Sequence, residues 1–145
     1  MKLKLSDGIN AARKSGELQP FIQAVPYFRW LNLRAERLGD ELITTMPYQD
    51  MLIGNPVLPA LHGGVTGALL ESAAMISLIG AMEEPILPRI INITVEYLRP
   101  GRAEDSFATG IVTKQGRRVA NVRAMASQGD RAKLIATASA HFMLT

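Results

Sequence analysis

Leu61-His62-Gly63-Gly64-Val65-Thr66-Gly67-Ala68-Leu69-Leu70-Glu71-Ser72-Ala73-Ala74-Met75-Ile76-Ser77-Leu78-Ile79-Gly80 reads as one helix, apolar on every side except at Glu71. A helix without a polar face is buried in a core or a membrane. An ionised carboxylate inside it is costly unless it is paired, hydrogen-bonded or shifted in pKa. Glu71 is therefore the first candidate functional residue. The segment opens at His62-Gly63-Gly64, where the first turn of a helix presents unpaired backbone N–H groups and a positive dipole end to an anion or a polarised carbonyl. One element then carries both a base and an oxyanion site.

On the C-terminal side the pattern shortens to alternation, and strands are expected over about 89–98, 103–114, 117–128 and 131–144, arranged as a meander. Pro100-Gly101, Gln115-Gly116 and Gln128-Gly129-Asp130 supply the turns. The last strand carries Leu134, Ala136, Ala138, Ala140, Phe142 and Leu144 on one face, and its row of alanines leaves room for a helix lying across the sheet.

On the N-terminal side, Leu31 to Glu36 and Glu41 to Met46 flank Gly39-Asp40 and predict a hairpin, the strand pattern beginning at Phe28. Between hairpin and helix, Pro47, Gly54, Asn55, Pro56 and Pro59 predict a loop without regular structure that holds Asn55 beside the helix start. Residues 1–27 read as a helical extension. Ser6 caps a helix over 7–14 that Gly16 ends; Leu18, Phe21, Ile22 and Val25 then recur around Pro20, and Pro26 closes the second helix. The whole is a single α+β domain over 1–145: a long central hydrophobic helix wrapped by a curved antiparallel sheet of five or six strands.

Composition narrows the function. The chain of 145 residues holds no cysteine, which excludes a disulfide framework, a thiolate metal site and a cysteine nucleophile. His62 and His141 are its two histidines and no carboxylate stands at ligand spacing from them, so no metal site is expected. No Gly-rich phosphate loop occurs, and no cofactor is expected. The net charge of +3 is modest and lacks the dense basic stripe of a nucleic-acid reader; a few arginines around turns suit a phosphate-bearing small molecule equally well, and solvated turns and strand faces account for any one of them. Two lysines at the start lead into no long apolar run, and Glu71 and His62 argue against membrane insertion of the helix, so a soluble, cytoplasmic protein is expected.

Asn55, the run Leu61-His62-Gly63-Gly64, the run Leu69-Leu70-Glu71-Ser72-Ala73 and the later Val95-Glu96-Tyr97-Leu98-Arg99-Pro100-Gly101 together carry a pattern. Over about residues 28–144 the chain resembles hotdog-fold acyl-CoA thioesterases of the 4-hydroxybenzoyl-CoA and phenylacetate-degradation type. The resemblance implies hydrolysis of acyl-CoA to free acid and CoA. It makes Asn55 the polar orienter, Gly63 the N–H donor to the carbonyl oxygen, and Glu71 the general base or nucleophile. His62 positions the turn, and Gly64 beside it belongs to the substrate site. Some relatives add a Ser or Thr one turn after the carboxylate or on the following strand. Here Met75 holds the first place and Thr94 is the nearby residue for the second.

Spacing adds a constraint of its own. Gly63 and Glu71 are eight residues apart, roughly 12 Å along a helix, whereas reacting atoms must approach within about 3–3.5 Å. Two antiparallel copies satisfy both, with Gly63 and Asn55 of one subunit facing Glu71 of the other, so a homodimer is expected and a tetramer of two dimers is left open. Arg99, Arg102, Arg117 and Arg118 are candidate contacts for the CoA phosphates. Tyr27, Phe28, Trp30, Met46 and Met51 are candidate acyl-pocket residues, each equally suited to ordinary core. The rival reading is a hotdog protein that binds an acyl ligand without turning it over.

Overall fold

The computed structural model describes residues 5, 7–10, 17–83 and 86–145. Two short helices, α1 (Gln19–Ala24) and α2 (Pro26–Trp30), lead into the hairpin of β1 (Arg34–Leu38) and β2 (Glu41–Met46). A 3-10 turn at Asp50–Leu52 and a small ladder of β3 (Ile53–Asn55) with β4 (Ala60–Leu61) precede the long helix α3 (Gly63–Ala81). Four strands follow: β5 (Arg89–Tyr97), β6 (Ser106–Gln115), β7 (Val119–Ser127) and β8 (Leu134–Met143). With β1 and β2 they form one six-stranded antiparallel sheet in the order β1-β2-β6-β7-β8-β5. The expected α+β architecture of a long hydrophobic helix on an antiparallel sheet is what the chain adopts.

Small residues decide where the helix lies. Rows of cross-strand partners face it: Ala108 with Ala126, Ala126 with Ala136, Gly110 with Ala124, Ala124 with Ala138. All five of these alanines are buried. At Gly110 the approach is close, since a Cβ there would stand 2.8 Å from Ser77 Oγ and 3.1 Å from the Ala73 carbonyl oxygen. Register shifts at Ile90/Asn92, Val112/Lys114 and Ala126/Ser127 are irregularities of the kind that bend a sheet around what it covers. Leu69, Leu70, Ile76 and Leu78 are fully buried by this packing, which accounts for a helix long and apolar enough, by length and composition, to cross a membrane.

Three local expectations need correction. β6, β7 and β8 form the meander, but β5 pairs with β8 rather than β6. The chain leaving β5 stays attached to β8, with Leu98 and Arg99 N–H both donating to the Ile135 carbonyl, and the connection then closes on Leu61 N–H through the Gly101 carbonyl. The segment between hairpin and α3 is not irregular throughout. Ile53 pairs with Leu61 and Asn55 with Ala60, because Gly54 lets the chain press against His62, where a Cβ would fall 2.6 Å from His62 Cα. Its prolines shape the turn between two strands instead of preventing them.

Pro26 does close α1, yet it also opens α2, a position at which its missing N–H costs nothing. Phe28 is accordingly helical and meets Phe21 edge-on at 5.9 Å, and β1 begins later, at Arg34. Residues 7–10 are helical; Ser6, Gly16 and the rest of the expected first helix lie outside the described residues.

Candidate active site

The first turn of α3 has a complete accounting of its N–H groups. His62 is the N-cap, in extended conformation, and its Nδ1 accepts from Gly64 N–H at 2.9 Å. Val65 and Thr66 N–H both donate to the His62 carbonyl, at 3.0 and 3.2 Å. Gly63 N–H donates to no described residue. Of the four donors that a helix start leaves over, Gly63 is thus the one still available to a ligand. The ring nitrogen that accepts carries no proton, so the proton of neutral His62 sits on Nε2. A side chain at position 64 would collide with this ring, its Cβ being 2.9 Å from Nδ1.

Asn55 ends β3 opposite Ala60, which lies two residues before His62, so the ladder sets Asn55 near the start of α3. Its Oδ1 accepts from Val57 N–H at 3.0 Å and Leu58 N–H at 3.4 Å, closing the turn, while its Nδ2 donates to no described residue.

Glu71 lies two turns further along α3, half-buried, on a partly exposed strip with Gly67, Ala68 and Met75. No hydrogen bond or ion pair reaches its carboxylate from the described residues. Burial alone therefore raises its pKa above the ordinary carboxylate value. Within one chain the helix rise keeps it about 12 Å from Gly63.

A pocket of about 330 Å³ opens beside the helix start, lined by Gly63, Thr66, Tyr97, Arg99 and Gly101 among others. Tyr97, from the end of β5, donates its hydroxyl to the Gly63 carbonyl at 2.6 Å. Neither Tyr97 nor Thr66 is marked as a site residue by its spacing along the chain. The signal was the pair Gly63 and Gly67, one turn apart, which leaves the notch that the Tyr97 ring fills: a Cβ at either glycine would stand 3.4 to 3.5 Å from that ring or its hydroxyl.

The four candidate arginines separate. Arg99 lines the pocket and donates to the Leu134 carbonyl at 2.8 Å, and Arg102 sits nearby in the same connection, its backbone held by Gln128. Arg117 lies instead near Ala81 and Met82, at the far end of α3, with Arg118 next to it. Thr94 is also misplaced for a role beside Glu71. It borders Arg123 and Ser139, whereas its neighbour Val95 and Tyr97 face Gly67 on the helix side, as strand alternation requires. Phe28 and Met46 are core, Tyr27 and Trp30 stack on each other at the surface 5.7 Å apart, and Met51 is exposed. A second recess, among Ile43, Phe107, Met125 and Leu134, shares no residue with the helix start, and the cation bordering it, Arg131, is paired with Glu41.

Comparison with known proteins places the chain beside acyl-CoA thioesterases. Residues 55–143 match the family described as acyl-CoA thioesterase N-terminal domain. The medium/long-chain acyl-CoA thioesterase YigI of Escherichia coli K12 is 30% identical, the match covering 92% of this chain and 94% of YigI. A crystal structure from Chromobacterium violaceum is 37% identical with a TM-score of 0.76, covering 94% of this chain and 96% of that one. The phenylacetic acid degradation-related protein of Ralstonia eutropha JMP134 is 27% identical with a TM-score of 0.72, covering 82% and 90%.

Proposed function

The chain belongs to the acyl-CoA thioesterase family, and we propose that it hydrolyses acyl-CoA at a site formed by Gly63 of one subunit and Glu71 of the partner subunit. The observation that carries this reading is Glu71 itself: a half-buried carboxylate without a partner among the described residues, its pKa raised by desolvation toward the working range of a general base. Glu71 takes a proton from water as the water oxygen bonds to the thioester carbonyl carbon. The carbonyl oxygen gains negative charge and receives the Gly63 N–H, a contribution of about 3–4 kcal/mol for a single preorganised donor. Collapse breaks the C–S bond, the leaving thiolate takes the proton, and free acid and CoA depart.

Dimerisation is supported by the two edges of the sheet, which differ. β1 is blunted by Arg34, Glu36 and Arg37. β5 is nine residues long, pairs on one side with β8, and exposes Ile90, Ile91 and Tyr97. Such an edge is a template for a second strand, and the same side of the molecule carries the partly exposed strip of α3 with Glu71. The Asn55 amide nitrogen is free to hold the attacking water, His62 holds the turn, Gly64 closes it, and Arg99 and Arg102 are the cations placed for the CoA phosphates. Exposed Val57 and Leu58 beside Asn55 offer apolar surface to a medium or long acyl chain, the substrate class for which YigI is named. The proposed setting of the reaction is the cytoplasm.

The test is release of free thiol from short, medium, long and aromatic acyl-CoAs by the native protein and by Glu71→Gln. Turnover that collapses in a folded Glu71→Gln protein is the expected result. Full turnover in that variant overturns the assignment of the base.

A further inference from the structure

We infer that Tyr97 is a positioning residue for the oxyanion donor: its hydroxyl fixes the Gly63–Gly64 peptide and thereby aims the Gly63 N–H. The inference rests on the reading of Gly63 as that donor.

The need for such a residue follows from the glycines. Gly63, Gly64 and Gly67 crowd the first turn and a half of α3, and each glycine weakens a helix by about 1 kcal/mol relative to alanine because its backbone is the least restricted of any residue. A donor carried on such a turn is held loosely unless something outside the helix holds it. Two groups do. The peptide between Gly63 and Gly64 is gripped at its nitrogen by His62 Nδ1, at 2.9 Å, and at its oxygen by the Tyr97 hydroxyl, at 2.6 Å. The free N–H belongs to the adjoining peptide, one Gly63 Cα away, so fixing one peptide plane leaves two dihedrals between it and the donor.

The Gly63 carbonyl is the second acceptor of the helical ladder, after that of His62, and its partner in sequence is the Gly67 N–H four residues on. Tyr97 therefore occupies its second lone pair and adds a constraint that the helix alone lacks. The ring packs where Gly63 and Gly67 have no side chains, and Val95, two residues earlier on the same strand face, closes the notch below it. Tyr97 and Gly63 line one pocket, so the hydroxyl acts at the wall of the site without being a reacting group.

Kinetics of Tyr97→Phe test the assignment, because phenylalanine keeps the ring in the notch and removes the hydroxyl alone. The expected result is a kcat lowered about tenfold with KM within about twofold, the signature of an interaction realised in the transition state. A second measurement combines it with Gly63→Pro, which removes the donor. If Tyr97 acts through that N–H, adding Tyr97→Phe to Gly63→Pro changes nothing further, whereas a merely structural tyrosine multiplies the loss. Native kinetics in Tyr97→Phe, or multiplicative losses in the double variant, overturn the inference. If Glu71→Gln and Gly63→Pro both retain full activity, it is the underlying site that fails, independently of Tyr97.

Discussion

Gly64 gives its N–H to His62 Nδ1 at 2.9 Å, and this bond leaves the Gly63 N–H as the one free donor of the first turn of α3 among the described residues. Gly63→Pro deletes that donor with little else. Position 63 is the first helical residue, where proline is accommodated, and His62 already has the extended conformation, φ −61° and ψ 131°, that a following proline demands. Thiol release is expected to fall by about 10²–10³ in kcat, the usual loss for one oxyanion donor, with an unchanged far-UV spectrum. Native turnover in this variant argues that the thioester oxygen is held elsewhere.

The raised pKa of Glu71 has a consequence for stability. Its ionised form is penalised by desolvation in the folded chain and not in the unfolded one, so the native protein loses stability as pH rises through the folded-state value. Glu71→Gln is therefore expected to melt higher than the native protein at neutral pH. The difference closes below the ordinary carboxylate value of about 4.3, where the carboxyl is neutral in both states. The acid limb of kcat/KM should correspondingly lie above that value. Calorimetry across pH and a pH–rate profile check the two halves separately.

A shared site predicts complementation. Glu71→Gln and Gly63→Pro subunits are each expected to be inactive alone. Mixed in equal amounts and allowed to exchange, about half of the dimers are mixed and each holds one intact site of two, which restores about a quarter of native activity. Exchange proven by native mass spectrometry without recovery of turnover excludes the composite arrangement.

Ser77 and Gly110 set a test of packing. Ser77 Oγ is buried with no hydrogen-bond partner, so Ser77→Ala is expected to leave stability unchanged or to raise it by up to about 1 kcal/mol. Gly110→Ala inserts a Cβ 2.8 Å from that oxygen and is expected to cost about 1–3 kcal/mol. Urea denaturation of both variants, and of the pair, measures whether removing the hydroxyl relieves the overlap.

Much of the fold was legible because its signals are local. The continuous apolar run from Leu61 to Gly80, the alternation of 134–144 and the glycine turns at Gly39, Gly116 and Gly129 each depend on near neighbours in the chain. The strand between Ile53 and Asn55 was not legible. Its partner is two residues long, and what permits the pairing is the absence of a side chain at Gly54 facing His62. Asn55 shows the same limit within the site: its neighbours suggested a turn and the family resemblance a polar orienter, and its Oδ1 is bound by the turn while its Nδ2 is left over.

The sequence by itself determined that a helix apolar on all sides carries one carboxylate, because hydrophobic periodicity is a property of consecutive residues. It also determined that Gly63 and Glu71 are too far apart to meet within one subunit, because helical rise depends on residue count alone. Tertiary structure decided which N–H of the first turn is free, that Tyr97 grips the peptide beside it, that Thr94 faces away from the helix, and that Arg117 and Arg118 stand at the far end from Arg99 and Arg102. Those outcomes depend on strand order and register, which are set by contacts between residues many positions apart and leave no mark in any short stretch of the chain.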